Sequence, residues 1–412
     1  MKPRRPRLAF VSPVFLFPND AGGKIRSTNI LRGLKGGAFE IVLVSPATEQ
    51  QAARWQGDIR SACDEFVAWQ PGTTKPQWAR AFDLLGSLPV NVAADRTPNG
   101  LAAVRQLLQR DDIDLVVFDF VHSTVLKPST ARQPCVCFTH NVEAEIFKRH
   151  ARQAPNLLRR WLWRSQHRKM ARFEGHALRR FQRVIAVSER DAKAFRDEYG
   201  VPDAEAIPTG VDLDFFAWQL PPSPDAQRPP RVVFTGSMDW QANIDGVQFF
   251  LDEVWPRVLA AQPNAHFVVV GRNPPPSLVA AARRQRQVEF TGFVDDVRPH
   301  AQAAQVFVIP LRVGGGTRIK AFEAMAMGCP VVSTSIGMEG LDAEPGTHFL
   351  QQDAPHAMAD AVVQLLGDAE LRLRLSRNAR ALVQARFGHR EAARVFEDIC
   401  RRALALAGDA AT

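Results

Sequence analysis

A glycine run followed by two cationic residues is the segment of the sequence best suited to hold a phosphate. Glycines occupy positions 314–316 after an apolar run, and Thr317 can cap a helix that begins near Arg318. The free backbone N–H groups at such a helix start attract anions. Arg318 and Lys320 lie on the first turn, where the helix dipole disfavours cations, so they indicate an anion from outside the chain. We therefore predict a phosphate site here.

A carboxylate one turn further along the same helix extends this site. Glu323 is predicted to lie near the same opening, where it can accept hydrogen bonds from ribose hydroxyls. Residues 324–327 are alanines and methionines that are predicted to face the core. The alternative is a tight turn before an ordinary packing helix, but the glycine run, the cations and the carboxylate together favour a phosphate site.

Two further polar positions follow predicted strands. His140 comes after an apolar run, beside Asn141 and Glu143, and ligands of α/β sheets bind at the carboxyl ends of strands. We predict that His140 lines a cleft, although a lone histidine at a strand end is more often structural. Glu339 also follows a strand-like run, and for it a sugar contact and a turn role stay equally open.

Strand-like apolar runs alternate with helical segments along the whole chain, which is typical of parallel sheets covered by helices on both faces. A chain of 412 residues is too long for one ordinary core. Prolines cluster in the middle of the chain, where they indicate a linker. The predicted strands are 8–15, 40–45, 114–120, 135–139 and 183–187 in the first half, and 231–235, 266–271, 288–292, 305–311 and 330–334 in the second.

The segment from Gly314 to Val332 resembles the donor-site helix of the retaining glycosyltransferases of family 4. Four other segments match that family at the expected places, so the similarity spans nearly the whole chain: Gly22-Gly23, residues 140–143, residues 187–188 with 208–212, and residues 235–237. The resemblance implies an α/β chain of the GT-B fold, with two Rossmann-like doubly wound domains facing across a cleft.

The resemblance also implies a domain plan. It comprises an N-terminal acceptor-side domain over 1–217, a linker over 218–230, a nucleotide-sugar-binding domain over 231–387, and a C-terminal helix over 388–412 that returns to the first domain.

Roles for individual residues follow from the family pattern. It implies that Glu323 holds the ribose, that Arg318 and Lys320 neutralise the diphosphate, and that His140 projects toward the transferred sugar. The first loop is implied to approach the donor phosphates and the acceptor. The predicted catalytic residues are His140, Arg318 and Lys320, and the predicted donor-binding residues are Gly22, Gly23, Gly236, Ser237, Gly314, Gly315, Gly316, Thr317, Glu323 and Glu339.

The chain departs from the family in two places. Most members have two glutamates spaced E-x7-E, and the first of them is replaced here by Gly315, which leaves the sugar open. Many relatives also have an Arg/Lys pair where this chain has residues 238–243. We infer that Arg318 and Lys320 take over that electrostatic role.

The implied activity is transfer of a sugar, with retention, from a nucleotide-diphosphate donor to a hydroxyl of a glycan or glycolipid, in polysaccharide or lipid-linked glycan synthesis. No metal and no cofactor are expected. The alternatives are a nucleotide-sugar epimerase of the same fold and a catalytically inactive scaffold paralogue. A nucleic-acid partner is not expected, because the basic stretch at 148–183 resembles no reading element of that kind.

Charge and cysteine content bear on the compartment and on partners. The formal charge of +9 favours an anionic partner, and the basic residues of 148–183 are interleaved with leucines and tryptophans. Such a helix either lies on an anionic membrane surface or is a solvated helix. Five scattered cysteines and a first segment unlike a signal peptide indicate a cytoplasmic protein, with peripheral attachment to the inner membrane face as an alternative.

Overall fold

The structure is a computed structural model that describes residues 4–19, 22–72, 84, 86–154, 156–222, 229–285, 287–313 and 318–409. The chain divides into two compact units. Unit 1 is Met1–Gly210 with His389–Thr412, and unit 2 is Val211–Gly388.

The two units divide after Gly210, seven residues before the boundary predicted at residue 217. Val211 forms a parallel bridge with Gly388, and its N–H donates to the Phe387 carbonyl oxygen at 2.8 Å. Leu213 and Phe216 then pack against a hydrophobic cluster of unit 2. These contacts attach the segment after Gly210 to unit 2 well before the proline-rich stretch.

Among the described residues, unit 1 contains a parallel sheet of seven strands in the order β3-β2-β1-β4-β5-β6-β7. Apolar and β-branched residues fill its central strands, so side chains on both faces are buried. The strands are β1 (Arg7–Val11), β2 (Glu40–Pro46), β3 (Glu65–Trp69), β4 (Leu115–Asp119), β5 (Cys135–Phe138), β6 (Arg183–Ala186) and β7 (Ala204–Ala206).

Helices cover both faces of this sheet. They are α1 (Gly22–Leu34), α2 (Glu49–Arg54), α3 (Gln56–Ala62), α4 (Val90–Asp95), α5 (Pro98–Leu108), α6 (Glu143–Gln153), α7 (Leu157–Leu178) and α8 (Glu189–Tyr199), with a 3-10 helix at Val121–Leu126. The last helix of the chain, His389–Asp409, also belongs to unit 1 and packs on α1.

Unit 2 contains, in its described part, a second parallel sheet in the order β10-β9-β8-β11-β12-β13. Its strands are β8 (Arg231–Thr235), β9 (His266–Val270), β10 (Val288–Gly292), β11 (Val306–Ile309), β12 (Val331–Ser333) and β13 (Leu350–Gln351). The helices are α9 (Gln241–Phe249), a π-helical turn (Phe250–Val254), α10 (Trp255–Ala261), α11 (Pro276–Arg284), α12 (Arg298–Gln302), α13 (Ile319–Met327), a 3-10 turn (Ile336–Met338), α14 (Pro355–Gly367) and α15 (Ala369–Arg386). The last helix of the chain, His389–Asp409 of unit 1, is α16.

Several helices begin at a polar residue whose side chain replaces a missing backbone acceptor. Each of these side-chain oxygens accepts a hydrogen bond from the backbone N–H three residues later, which stabilises a helix start by about 1 kcal/mol. The capping residues are Thr48, Thr97, Asn156, Ser188 and Asp368. Local sequence therefore fixes where these helices begin.

The basic stretch is shorter as a helix than predicted. The sequence predicts one helix over 148–183, but α6 ends at Gln153 and α7 begins after the Asn156 cap. Near the C-terminus, α14 and α15 are separated at Asp368, which caps α15. Among the described residues, no helix is long and apolar enough to cross a membrane.

Candidate active site

His140 is held by a buried carboxylate on the neighbouring strand. β4 ends at Asp119 and β5 ends two residues before His140, and because the two strands are adjacent and parallel their ends meet. The His140 Nε2 atom lies 2.7 Å from Asp119 Oδ1. Ser12 and Ser27 donate their hydroxyl hydrogens to the same carboxylate at 3.0 Å. Asp119 is therefore fixed by three partners.

This arrangement sets the protonation of the imidazole. Burial lowers the pKa of His140 below its usual value, and the Asp119 carboxylate only partly opposes that shift. The ring is therefore neutral at pH 7, with its proton on Nε2 facing Asp119. The Nδ1 atom is buried and has no hydrogen-bond partner among the described residues. It is left as an acceptor for a hydroxyl group.

The start of α1 approaches Phe120 and His140 closely, which explains the glycine at position 23. A Cβ atom built on Gly23 would lie 2.5 Å from Phe120 Cζ and 3.7 Å from His140 Nδ1. The Phe120 ring stacks on His140 with centroids 3.9 Å apart, and Phe120 has a φ of 65°, which is rare for a residue with a side chain. Gly22 is the first residue of α1. Gly22, Gly23 and His140 are thus brought together.

Unit 2 holds a second group of predicted residues, around the start of α13. The helix begins at Ile319, and Arg318 occupies the cap position with its side chain only 5% exposed. Arg318 Nε donates to the Ile336 carbonyl oxygen at 3.0 Å, and its Nη2 lies 3.6 Å from Glu339 Oε2. The structure therefore brings Glu339 to Arg318, while leaving most of the Glu339 side chain in solvent.

Lys320 and Glu323 lie further along α13. The Lys320 ammonium donates to Asn243 Oδ1 at 2.8 Å and lies 4.2 Å from the centroid of the Phe234 ring. Burial, with a smaller contribution from Arg318, lowers the pKa of Lys320 to about 7. Burial raises the pKa of Glu323 to about 7, against the opposing effect of Lys320. Both groups therefore titrate near neutral pH in the unliganded protein.

Gly236 and Ser237 follow β8 and complete this group. A Cβ atom on Gly236 would lie 2.7 Å from Lys320 Nζ, so a larger residue here would displace the ammonium from its present position. Asn243 Nδ2 donates to the Ser237 carbonyl oxygen at 2.7 Å, and thereby connects this turn to Lys320. Ser237 Oγ donates to Asp239 at 2.8 Å and accepts from Arg272 Nε at 3.3 Å. Hydrogen bonds with Asn243, Asp239 and Arg272 thus fix the turn after β8.

The two groups contain every predicted site residue that the structure describes. Gly314, Gly315, Gly316 and Thr317 lie outside the described residues. Within unit 2, the buried Arg318, the half-buried Lys320, a carboxylate and a tight glycine turn meet at the carboxyl ends of strands, where such sheets bind phosphate groups. Within unit 1, a neutral histidine presents an unfilled acceptor.

Three residues of these groups are not among those predicted from the sequence. Asp119 was not identified because its partner His140 is distant in sequence, although an acidic residue ending a wholly apolar strand was a usable signal. Arg272 lies two residues after the end of β9, and so lies at the same sheet edge as Ser237. Asn243 was noted only as part of a segment that departs from the family pattern.

Two family models match the chain. The model described as Glycosyltransferase Family 4 matches residues 22–215, and the model described as Glycosyl transferases group 1 matches residues 229–368. Together they cover most of the chain; the first match lies almost wholly in unit 1 and the second lies in unit 2.

Relatives and solved structures agree with these matches. The chain is 24% identical over 358 residues to a GDP-mannose-dependent monoacylated alpha-(1-6)-phosphatidylinositol monomannoside mannosyltransferase of Corynebacterium glutamicum, covering 80% of this chain and 90% of that protein. A sucrose-phosphate synthase of Thermosynechococcus elongatus superposes with a TM-score of 0.69 at 17% identity, covering 97% of this chain and 100% of that chain. Anabaena HepE in complex with UDP and glucose superposes with a TM-score of 0.66 at 15% identity, covering 95% and 98%.

These likenesses extend over both units and agree with the two parallel sheets and their order. The chain is a glycosyltransferase of the GT-B fold and belongs to glycosyltransferase family 4.

Proposed function

We propose that the protein transfers a sugar from a nucleotide-diphosphate donor to a hydroxyl of a glycan or glycolipid. The observation that carries this proposal is the placement of a buried Arg318 and a half-buried Lys320 at the start of α13, with Gly236 against Lys320, at one sheet edge of unit 2. Cleavage of the donor releases a diphosphate and leaves an electron-poor sugar. Preorganised cations that stabilise the leaving group are the main catalytic requirement of such a step.

In this proposal Glu323 accepts hydrogen bonds from the ribose hydroxyls and Ser237 contributes to phosphate binding. Their positions around Lys320 support these roles. His140 accepts a hydrogen bond through Nδ1 from a hydroxyl of the transferred sugar or of the acceptor. Its neutral state at pH 7 supports this role, because a protonated imidazole has no acceptor nitrogen.

We also propose that transfer retains the anomeric configuration and requires no metal ion. The family resemblance supports retention. The metal-independent mechanism is supported by the side-chain cations, because Arg318 and Lys320 can supply the charge that a divalent ion supplies elsewhere. Transfer measured with excess EDTA should proceed at the same rate, and a rate that returns only on adding Mg²⁺ or Mn²⁺ would contradict this point.

Donor binding is tested by thermal unfolding with UDP, GDP, UDP-glucose and GDP-mannose. A ligand that binds only the folded state raises the melting temperature with concentration. These probes are chosen because the corynebacterial relative uses GDP-mannose and HepE binds UDP. We expect one nucleotide family to stabilise the wild type, and to stabilise an Arg318→Gln variant much less. If none of the four ligands raises the melting temperature, the proposal is wrong for these donors.

Catalysis needs a separate measurement. Slow hydrolysis of the stabilising nucleotide sugar should release free sugar, and early NMR spectra should show the anomer with the donor's own configuration. Release of the opposite anomer contradicts retention. Tight nucleotide binding without any hydrolysis, and without transfer to extracted glycolipids, would favour the inactive-paralogue alternative.

A third part of the proposal concerns a membrane surface on the cytoplasmic side. Leu157, Leu158 and Trp161, here called the apolar tip, are 79%, 76% and 63% exposed at the start of α7. Exposed arginines at positions 159 and 164 flank them. Apolar side chains beside cations fit the boundary between lipid headgroups and acyl chains. All five cysteines are unpaired, which supports a reducing compartment.

Vesicle flotation tests this surface. We expect binding to vesicles of phosphatidylcholine with phosphatidylglycerol, weaker binding at high salt, and little binding to phosphatidylcholine alone. Leu158→Ser combined with Trp161→Ser should abolish binding. Phe293→Ser is the matched control, because Phe293 is 71% exposed but lies in unit 2. Equal losses in both variants would show that the apolar tip is not the attachment site.

A further inference from the structure

Arg26, on α1, is a buried cation with unfilled hydrogen-bond donors. Arg26 is 7% exposed, and neither its Nε nor its Nη2 atom has a hydrogen-bond partner among the described residues. A buried charged donor without an acceptor is costly for folding, so such a group is retained for a reason other than stability. Binding of a ligand by the guanidinium is such a reason.

The unfilled atoms lie on one edge of the guanidinium. In unit 2, Arg312 uses the same two nitrogens to hold both oxygens of Asp245, with Nε–Oδ2 and Nη2–Oδ1 distances of 3.1 and 2.7 Å. Arg298 holds Asp296 in the same way, with Nε–Oδ1 and Nη2–Oδ2 distances of 2.9 and 2.8 Å. This edge binds a two-oxygen anion with two parallel hydrogen bonds. In Arg26 the edge is buried and lacks such an anion among the described residues.

The neighbours of Arg26 leave it charged. Burial lowers the pKa of Arg26 to about 10, and the carboxylate of Asp191 opposes that shift. Asp191, on the first turn of α8, is attracted to Arg26 without reaching hydrogen-bond distance of Nε or Nη2. Its carboxylate also lies 4.0 Å from Arg190 Nη1. Arg26 is therefore cationic at neutral pH, and no described carboxylate occupies its binding edge.

The position of Arg26 connects it to the unit 1 group. Arg26 is three residues after Gly23, so the two share one side of α1. The Gly23 Cβ position is 3.7 Å from His140 Nδ1, which is also a buried polar atom without a hydrogen-bond partner among the described residues. The guanidinium is also close enough to act on the titration of His140. Two unfilled polar groups thus flank the start of a helix whose first turn contains no acidic residue.

We propose that Arg26 binds a two-oxygen anionic group, a phosphate or a carboxylate, that is carried by the acceptor. This inference rests on the proposed function, in which His140 of unit 1 contacts the reacting hydroxyl and Arg318 and Lys320 of unit 2 bind the donor diphosphate. Arg26 lies in unit 1 beside His140, and so is placed to recognise an anion near that hydroxyl. It selects acceptors that carry such a group.

Arginine-selective NMR of the full chain tests the inference directly. The Nε–H signal of Arg26 is assigned by its loss in Arg26→Lys, and inorganic phosphate, acetate, UDP and GDP are titrated separately. We expect the signal to move with phosphate or acetate and to stay unchanged with UDP and GDP. A signal that moves with none of the four overturns the proposal. A signal that moves with UDP or GDP assigns Arg26 to the donor and overturns the acceptor assignment.

A thermal comparison separates binding from a structural role. Without added anion, Arg26→Gln should melt at or above the wild-type temperature, because it removes a buried unpaired charge. The stabilisation that phosphate gives the wild type should be lost in Arg26→Gln, because the apparent affinity for phosphate should be about tenfold lower or more. Arg32→Gln, on the same helix, should keep the phosphate effect, since Arg32 instead holds Asp58. A lower melting temperature for Arg26→Gln without anion would show a structural role and overturn the proposal.

The same thermal measurements distinguish a failure of the proposed function from a failure of the Arg26 inference. Stabilisation by UDP or GDP reports on the proposed donor site and should be equal in wild type and Arg26→Gln. If nucleotides fail to stabilise the wild type, the proposed function fails whatever Arg26 does. If nucleotides stabilise it but phosphate and acetate have no Arg26-dependent effect, only the acceptor inference fails.

Discussion

His140 Nε2 lies 2.7 Å from Asp119 Oδ1, and both side chains are almost fully withdrawn from solvent. The contact joins the ends of two adjacent parallel strands, so the sheet itself holds the pair. Because Asp119 also accepts from Ser12 and Ser27, its oxygens cannot turn away from the imidazole without breaking other hydrogen bonds. The orientation of His140 is thus set by the fold before any ligand arrives.

Replacing Asp119 by Asn tests this relationship. The Asp119 carboxylate raises the pKa of His140 against the effect of burial, so Asp119→Asn should lower that pKa further. Loss of a fixed ring orientation should lower the transfer rate by roughly 10²-fold. NMR titration of the His140 ring measures the first effect. Asp95→Asn is the control, because Asp95 pairs with His122 and should mainly lower the pKa of that histidine.

Gly23→Ala tests the close approach at the start of α1. The new methyl group would lie 2.5 Å from Phe120 Cζ, and Phe120 stacks on His140, so we expect both rings to move. Transfer should fall by roughly 10²-fold, while nucleotide stabilisation, assigned to unit 2, should persist. Gly57→Ala is the matched control, since nothing lies within 4 Å of its Cβ position. That control should leave transfer unchanged and stabilise the fold by up to about 1 kcal/mol.

The strand predictions succeeded where apolar runs were long and buried. The central strands of both sheets were predicted because their sequences contain four consecutive apolar or β-branched residues, as in residues 231–235 and 266–271. β3, β7 and β13 were missed, because edge strands are short or half-exposed and their sequence does not alternate clearly. Edge pairing is decided by tertiary contacts that no local pattern contains.

The site was predictable to a different extent in each unit. Arg318, Lys320 and Glu323 share one helix turn and a half, so local spacing alone grouped them. The contacts Lys320–Asn243 and His140–Asp119 join residues 77 and 21 positions apart in sequence, and only the folded sheets bring them together. The burial that moves the pKa values of Lys320 and Glu323 toward 7 likewise depends on packing that is invisible in sequence.

Arg318→Gln should separate donor recognition from folding. Arg318 is buried, donates to the Ile336 carbonyl oxygen, and approaches Glu339, so glutamine keeps a donor but removes the charge. We expect turnover to fall by roughly 10²–10³-fold, the loss typical for removing one preorganised donor at a charged transition state. Arg312→Gln is the control, because Arg312 pairs with Asp245 near the protein surface. Equal activity in both variants would exclude a catalytic role for Arg318.

The shifted pKa values of Lys320 and Glu323 predict proton exchange on donor binding. Lys320 has a pKa of about 7 in the free protein, and a bound diphosphate raises it. Above pH 7 the amine is largely neutral before binding, so a proton is taken up and affinity falls as pH rises. Glu323 has a pKa of about 7 and must be ionised to accept ribose hydrogen bonds. Below pH 7 binding therefore releases a proton, and affinity falls as pH drops.

Calorimetry in buffers of different ionisation enthalpy measures this exchange. The ligand is a nucleotide sugar, because its doubly esterified diphosphate stays ionised across this range. We expect uptake at pH 8, release at pH 6 and little exchange near pH 7. Lys320→Met should remove the uptake and Glu323→Gln the release, since each variant deletes one titrating group. Uptake at pH 8 that persists unchanged in Lys320→Met would show that the proton goes elsewhere and that Lys320 does not contact the diphosphate.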